Sequence, residues 1–275
     1  MDITGILIAA GVIGGVGILV GVLLGRASRV FHVEENETEI AVREALPGNN
    51  CGGCGFPGCD GLAKAIAEGK APVNACPVGG PAVAEKIAEI LGGAEDQPTE
   101  QMRAFVHCKG DCDKVRDVYE YVGPRTCSIA VNTPNGGPKA CKYGCLGFGE
   151  CASVCDFGAI SLIDGIAVVD PDKCVACGLC VKACPRGLIS LVPKEKEHHI
   201  SCSSKDKGLD VKKVCSAGCL ACTMCVKQCP VEAIHMEGNQ PVIDYSKCVN
   251  CGACAVKCPV KCISGLETVK EEAKK

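Results

Sequence analysis

The sequence predicts an α+β chain built from one N-terminal apolar helix and several small cysteine-rich modules. Three observations predict this architecture. The 275 residues include 26 Cys and 34 Gly, whereas Trp is absent and aromatic residues make up 3%. So few large side chains cannot build one ordinary core for this length, and the modules therefore need another source of folding energy. The cysteines also recur at fixed spacings, and residues 3–25 form an apolar stretch without a charge.

The apolar stretch at residues 3–25 is long enough to cross a bilayer once as a helix. Asp2 precedes it, and Arg26 and Arg29 follow directly. The positive-inside bias predicts a single-pass transmembrane anchor (1–28) in the cell (inner) membrane, with the rest of the chain on the cytoplasmic side. A cleaved signal peptide is the alternative, but it would reverse this charge order and end in a small-residue cleavage site.

Three cysteine runs share the spacing C-x2-C-x2-C-x3-C-P. They are Cys174, Cys177, Cys180 and Cys184; Cys219, Cys222, Cys225 and Cys229; and Cys248, Cys251, Cys254 and Cys258. Three thiolates this close fit three corners of one iron–sulfur cube, and the fourth ligates a neighbouring cube in two-cluster proteins. Disulfides and zinc are the alternatives, but neither explains the same spacing three times. The runs predict 4Fe-4S clusters.

The runs belong to an internal repeat of 74 residues. Cys141, Cys145, Cys151 and Cys155 precede Cys215, Cys219, Cys225 and Cys229 by this distance. Two tandem two-cluster ferredoxin-like modules, at 105–200 and 201–265, are the simplest interpretation, followed by a charged tail at 266–275. Short strands are expected at 160–162 and 166–169 in the first module and at 234–236 and 241–244 in the second.

Because the fourth cysteine of each run binds the neighbouring cube, four ligand sets can be assigned. Second-module set A is Cys219, Cys222, Cys225 and Cys258, and second-module set B is Cys248, Cys251, Cys254 and Cys229. First-module set B is Cys174, Cys177, Cys180 and Cys155, and first-module set A contains Cys145, Cys151 and Cys184. This last set lacks one ligand, because Phe148 stands where the repeat has Cys222. Cys141, one helical turn before Cys145, is the predicted substitute.

A fifth ligand set lies in a separate small domain at 29–92, which a linker at 93–104 joins to the modules. This small-domain set has the spacing C-x2-C-x4-C-x16-C and comprises Cys51, Cys54, Cys59 and Cys76. Glycines between the ligands let the backbone turn tightly and aim N–H groups at cluster sulfurs. Helical periodicity at 33–46, after Cys59 and after Cys76 predicts a small helical 4Fe-4S domain.

Six cysteines remain outside these sets. Cys108, Cys112, Cys127, Cys202 and Cys215 are candidate extra ligands, and Cys262 is expected to be a packing residue. Cys108, Cys112 and Cys127 could join one of the others in a sixth cluster, but buried inert thiols are an equal alternative. The expected cofactors are therefore five 4Fe-4S clusters, or six.

Other residues indicate no further chemistry. The sequence has no Ser-His-Asp set, P-loop or credible dinucleotide fingerprint, so no catalytic residue and no cofactor besides the clusters are expected. A formal charge of −3 gives no signal for nucleic-acid binding. His198 and His199 are expected in a solvated loop, and Arg186 is expected to be a surface charge rather than a docking residue.

Several motifs together resemble one protein family. The apolar stretch ends in Gly-Arg-Ala-Ser-Arg at 25–29, and 46–59 read Leu-Pro-Gly-Asn-Asn-Cys-Gly-Gly-Cys-Gly-Phe-Pro-Gly-Cys before the tandem modules. This order resembles the RnfB family, whose members are subunits of the Rnf complex, the ion-translocating ferredoxin:NAD oxidoreductase of bacteria. The resemblance covers nearly the whole chain, and the block from Cys51 to Cys76 is its most specific part. The second module is similar to a longer form of the family, since shorter members carry one.

The resemblance implies a role within a larger redox enzyme. It implies that electrons enter from soluble reduced ferredoxin, that other membrane and peripheral subunits are partners, and that a Na+ or H+ gradient is coupled to electron flow toward NAD+. The chain alone would be an electron carrier, with electrons passing from the modules to the small-domain set nearest the anchor. An anchored polyferredoxin serving another redox enzyme, such as a hydrogenase, without ion pumping is the alternative.

Overall fold

The computed structural model describes residues 3–30, 36–93 and 100–264. The predicted charged tail (266–275) and the middle of the predicted linker (94–99) lie outside these residues. The helices are α1 (Ile3–Val30), α2 (Glu37–Ala45), α3 (Gly58–Ala67), α4 (Gly80–Ile90), α5 (Cys127–Ala130), α6 (Glu150–Ser153), α7 (Leu179–Ala183), α8 (Gly208–Val214), α9 (Met224–Lys227) and α10 (Ala253–Val256). The strands are β1 (Met102–Val106), β2 (Ile160–Ile163), β3 (Ile166–Val169), β4 (Ile189–Pro193), β5 (His199–Ile200), β6 (Ile234–Glu237), β7 (Gln240–Ile243) and β8 (Ile263–Ser264). The expected mixture of helices and strands is confirmed.

The first helix, α1, contains the predicted membrane anchor. It is 28 residues long, and the side chains of residues 11–26 are all exposed. Among the residues whose side chains the structure describes, no helix is long and apolar enough to cross a membrane. The transmembrane assignment therefore stays a prediction.

The small domain packs three helices around one apolar core. Val42 of α2, Leu62 and Ile66 of α3, and Ile87 of α4 are each at most 2% exposed. The side chain of Asn36 caps α2 by accepting a hydrogen bond from the backbone N–H of Thr38 at 3.0 Å. The helices predicted around Cys59 and Cys76 are confirmed, and this core holds the loops that carry those cysteines.

Each module contains the predicted hairpin. In the first, β2 and β3 pair with Ile160 opposite Val169, and in the second, β6 and β7 pair with Ile234 opposite Ile243. Asp164 and Gly165 in the first turn both have positive φ, as a two-residue turn between right-twisted strands requires. Strands near the four expected positions are therefore confirmed.

A second strand pair, which was not predicted, closes each module. β1 pairs antiparallel with β4, and β5, which lies just before the predicted start of the second module at 201, pairs antiparallel with β8. β1 begins at Met102, inside the range predicted as a linker. The prediction that His199 lies in a solvated loop is wrong, because this residue is part of β5 and its side chain is fully buried.

Candidate iron–sulfur sites

Four groups of cysteines each line a cavity of similar size. The cavities measure about 420, 390, 330 and 390 Å³. Their cysteines are, respectively, Cys127, Cys145, Cys151 and Cys184; Cys219, Cys222, Cys225, Cys258 and Cys262; Cys155, Cys174, Cys177 and Cys180; and Cys108, Cys141, Cys202 and Cys215. The described residues hold no group of three or more His, Cys, Asp or Glu side chains placed to bind a metal ion. In a cube each thiolate binds a different iron, so a cube requires four thiols around one cavity.

The three runs share one loop geometry around their second cysteine. The residue before the second cysteine has positive φ in each run, at Ala176, Ala221 and Asn250. The residue after it has positive φ as well and precedes the short helix that carries the third cysteine; it is Gly178 in the first run, Thr223 in the second and Gly252 in the third. Glycine adopts this conformation without strain, so the spacing of glycines in the sequence reflects the loop.

Backbone N–H groups point at the sulfurs. The fourth cysteine of each run accepts a hydrogen bond from the N–H four residues later. These distances are 3.4 Å for Cys184, 3.2 Å for Cys229 and 3.2 Å for Cys258. In the small domain, the Gly79 N–H donates to the Cys76 sulfur at 3.4 Å. Such N–H groups stabilise cluster thiolates, so the surroundings of these sulfurs fit iron–sulfur ligation.

Burial holds many of these thiols in the neutral form. Desolvation raises the pKa of Cys151 to about 12 and that of Cys180 to about 11, and neighbouring thiols add to the effect. Burial likewise raises the pKa of Cys254 to about 11. Because a metal ligand must be a thiolate, cluster assembly at these positions releases protons and depends on pH.

First-module set A differs from the predicted arrangement. The structure places Cys127, at the start of α5, in one cavity with Cys145, Cys151 and Cys184, and it places Cys141 in a different cavity. The carboxylate of Glu150 accepts hydrogen bonds from the backbone N–H of Ser128 at 3.0 Å and from its hydroxyl at 2.5 Å. This contact fixes α5 against α6. Cys127 lies outside the internal repeat, so its spacing does not identify it as a ligand. The one signal in the sequence is the missing cysteine at Phe148, which indicates that the fourth thiol comes from elsewhere in the chain.

The remaining cysteines have different surroundings. Cys112 is exposed and lines none of the four cavities. Cys262 is 1% exposed, which agrees with its expected packing role. Its thiol is within hydrogen-bonding reach of the Cys202 and Cys219 sulfurs, and this interaction lowers the pKa of both thiols. The contact between Cys202 and Cys262 was not predicted, because the two residues are 60 positions apart and belong to no shared spacing motif.

The small domain touches the first module beside two cysteine sets. A Cβ atom placed on Gly53 would lie 2.6 Å from the carbonyl oxygen of Cys177. The charge of Cys51 also acts on Cys177 and helps to raise its pKa, although burial is the larger cause. The absence of a side chain at Gly53 therefore permits the small-domain set and first-module set B to approach closely.

A buried polar chain links first-module set B to second-module set B. Arg103 is 0% exposed, and its guanidinium donates a hydrogen bond to Nε2 of His199 at 2.6 Å. The same Nε2 lies 2.9 Å from the Lys196 carbonyl oxygen, and Nδ1 of His199 shares a hydrogen bond of 2.7 Å with the Tyr245 hydroxyl. The charges of Cys174 and Tyr245 favour the cationic form of Arg103, although burial lowers its pKa. Tyr245 in turn lies beside Cys248 and Cys254.

The prediction that Arg186 is a plain surface charge is wrong. Its guanidinium donates to the carbonyl oxygens of Gly136 and Gly144, and to that of Cys141 at 3.2 Å. It ties together the loops that carry Cys141 and Cys145.

The fold and the sites define an electron-transfer protein that carries several iron–sulfur clusters. Three family profiles agree with this class. A profile described as "Putative Fe-S cluster" matches residues 46–78, a "4Fe-4S binding domain" matches 167–190, and a "4Fe-4S dicluster domain" matches 218–262.

Curated relatives identify the family, and three of them are RnfB subunits of larger complexes. The one from the Na(+)-translocating ferredoxin:NAD(+) oxidoreductase complex of Acetobacterium woodii is 45% identical over 261 residues, covering 94% of this chain and 78% of that protein. The one from an ion-translocating oxidoreductase complex of Methanosarcina acetivorans is 43% identical, covering 86% of this chain and 89% of that protein. The one from the proton-translocating ferredoxin:NAD(+) oxidoreductase complex of Clostridium ljungdahlii is 42% identical, with 85% and 82% covered. The chain belongs to this family, the RnfB subunits of the Rnf complexes.

Proposed function

We propose that the chain accepts electrons from reduced soluble ferredoxin and relays them to membrane partners of an ion-translocating (Na+ or H+) ferredoxin:NAD+ oxidoreductase complex. The functions of the relatives support this proposal. The observation that carries it is the contact between Gly53 and Cys177, because it sets two cysteine groups side by side across two domains. A cube held by four Cys has no open iron site, so it supplies one-electron storage and transfer rather than bond chemistry.

We propose five ligand sets within this relay. The small-domain set, first-module set B and both second-module sets are kept as the spacing predicts. First-module set A becomes Cys127, Cys145, Cys151 and Cys184, because these four thiols line one cavity and Cys141 lines another. In each of the five sets a backbone N–H donates to a ligand sulfur, which supports ligation by cysteine.

The proposed direction of flow follows from the position of the small domain. Its cysteines precede the modules in the chain and follow the predicted anchor at 1–28, while Gly53 contacts first-module set B. Electrons would enter at the modules and leave through the small-domain set toward the membrane partners. The exposed apolar side chains within residues 11–25, followed directly by Arg26, support an anchor there with the modules on the cytoplasmic side.

Replacing Cys54 with Ala in the assembled complex tests this order. Reduced ferredoxin should still reduce the modules, whereas ferredoxin-dependent reduction of NAD+ should stop. The matched control is Cys112→Ala, because Cys112 is exposed and lines none of the cavities. Continued NAD+ reduction by the Cys54 variant would show that electrons bypass the small domain. Purification of the chain from native membranes addresses the alternative function, since a co-purifying hydrogenase would favour an anchored polyferredoxin without a pump.

A further inference from the structure

Four cysteines outside the C-x2-C runs meet at the junction between the two modules. Cys108 follows β1, Cys141 precedes α6, Cys202 follows β5 and Cys215 ends α8. We call them the junction set. Together they line one cavity of about 390 Å³, a volume that includes its opening to solvent. The first two belong to the first module and the last two to the second, so neither module assembles this group alone.

Three sulfurs of the junction set, those of Cys108, Cys141 and Cys215, lie close to one another. A Cβ atom on Gly110 would be 3.4 Å from the Cys215 sulfur and 3.8 Å from the Cys108 sulfur. One on Gly144 would be 3.5 Å from the Cys141 sulfur and 3.6 Å from the Cys108 sulfur. Each of these sulfur pairs is therefore separated by no more than about 7 Å, a distance that a four-iron cube spans. The nearest atom to the added Cβ on Gly110 is a methyl carbon of Val115 at 2.7 Å, so packing against Val115 also requires that glycine.

The surroundings of the junction set resemble those of the other sets. The Cys145 N–H donates to the Cys108 sulfur at 3.2 Å, and the Ser204 N–H approaches the Cys202 sulfur at 3.5 Å. Lys139 is 5% exposed, lines the same cavity and donates to the carbonyl oxygens of Gly110 and Gly165. A buried ammonium of this kind offsets the negative charge of four thiolates.

The junction set also lies between two other cysteine sets. On one side, Cys108 accepts its hydrogen bond from Cys145 of first-module set A. On the other, the Cys262 thiol is within hydrogen-bonding reach of both Cys202 and Cys219, and Cys219 belongs to second-module set A. Hydrogen bonds across the junction hold this arrangement, including one from the Ser203 hydroxyl to the His107 carbonyl at 3.1 Å and one from the Ser216 N–H to the Lys114 carbonyl at 3.1 Å.

We propose that Cys108, Cys141, Cys202 and Cys215 bind a further 4Fe-4S cluster, which connects the two modules for electron transfer. The inference rests on the proposed relay function and adds a site to it. It also accounts for the position of Cys141, which is too far from first-module set A to line its cavity.

Iron and acid-labile sulfide counts on the anaerobically purified full chain test the proposal. Six cubes hold about 24 irons and five hold about 20. The wild type should give the higher number, and Cys141→Ser and Cys215→Ser should each lose about one sixth of the iron. Cys112→Ser is the matched control and should lose none.

A double variant keeps the test decisive if one substitution also loosens the fold. Cys127→Ser with Cys215→Ser should lose about twice the iron of either single variant, because the two thiols belong to separate clusters. A loss no larger than that of one single variant would overturn the proposal, as would about 20 irons in the wild type. A wild-type protein without iron would instead refute the relay function itself, so the two failures are distinguishable.

Discussion

The contact between Gly53 and Cys177 provides a direct test of how the small domain docks. Replacing Gly53 with Ala adds one methyl group at a place where it would lie 2.6 Å from the Cys177 carbonyl oxygen and 3.1 Å from its Cβ. An ordinary contact begins at 3.4 Å, so the two domains must separate by about 0.8 Å or deform. Overpacking of this size costs about 1–3 kcal/mol. The docked state should therefore weaken by about 5- to 150-fold.

EPR spectroscopy of the reduced full-length protein measures this effect. Two reduced clusters that lie side by side broaden each other's signals, so Gly53→Ala should narrow the signals of the small-domain set and first-module set B. The iron content should stay at the wild-type value, because no ligand is changed. Limited proteolysis near the linker (93–104) should also become faster, since an undocked domain exposes it.

Gly55→Ala is the control for this experiment. Gly55 lies in the same loop and has φ of +86°, so alanine strains the loop, but no atom lies within 4 Å of the added methyl group. It should leave the spin coupling unchanged. If Gly53→Ala keeps full coupling with normal iron content, or if both variants lose it equally, the reasoning about this contact is wrong.

Three further predictions concern single side chains. Arg103→Met removes a buried cation beside Cys174, so the clusters of first-module set B and second-module set B should become harder to reduce. Redox-titrated EPR measures their reduction potentials, and Arg116→Met, at an exposed arginine, is the control. Unchanged potentials in the Arg103 variant would contradict the prediction. Burial and the Arg103 charge lower the pKa of His199 to about 3, below its ordinary value of 6.5, so the unfolded chain binds the extra proton and stability present above pH 6.5 is lost as the pH falls toward 3. This loss amounts to about 2 kcal/mol of unfolding free energy by pH 5. The free energy of unfolding, measured with denaturant, should therefore be lower at pH 5 than at pH 7, and His199→Gln should remove this part of the difference. An unchanged difference would show that His199 does not contribute. Cys127→Ser should lose about four irons whereas Cys112→Ser loses none, and equal iron in both would exclude Cys127 as a ligand.

Much of the architecture is visible in local spacing. The three C-x2-C-x2-C-x3-C-P runs and the hairpins after Cys155 and Cys229 were predicted from residues that are close together in the chain. Such motifs depend on a few neighbouring φ and ψ angles, and the loops confirm this by repeating positive φ at matching positions such as Ala176, Ala221 and Asn250. The closing pair of β5 and β8 escaped prediction because these strands contain two residues each, too few for a periodic pattern.

The amino-acid sequence by itself determined that the thiols occur in sets, how many irons the regular runs can bind and which family the chain resembles, since all three depend on short-range order. Only the tertiary structure decided which lone cysteines meet. Cys127 joins first-module set A, Cys141 meets Cys202 and Cys215 across the junction, and Arg103 reaches His199. The physical reason is that these groups are brought together by chain segments far apart in sequence, so packing and hydrogen bonds between modules fix their separation and spacing along the chain does not.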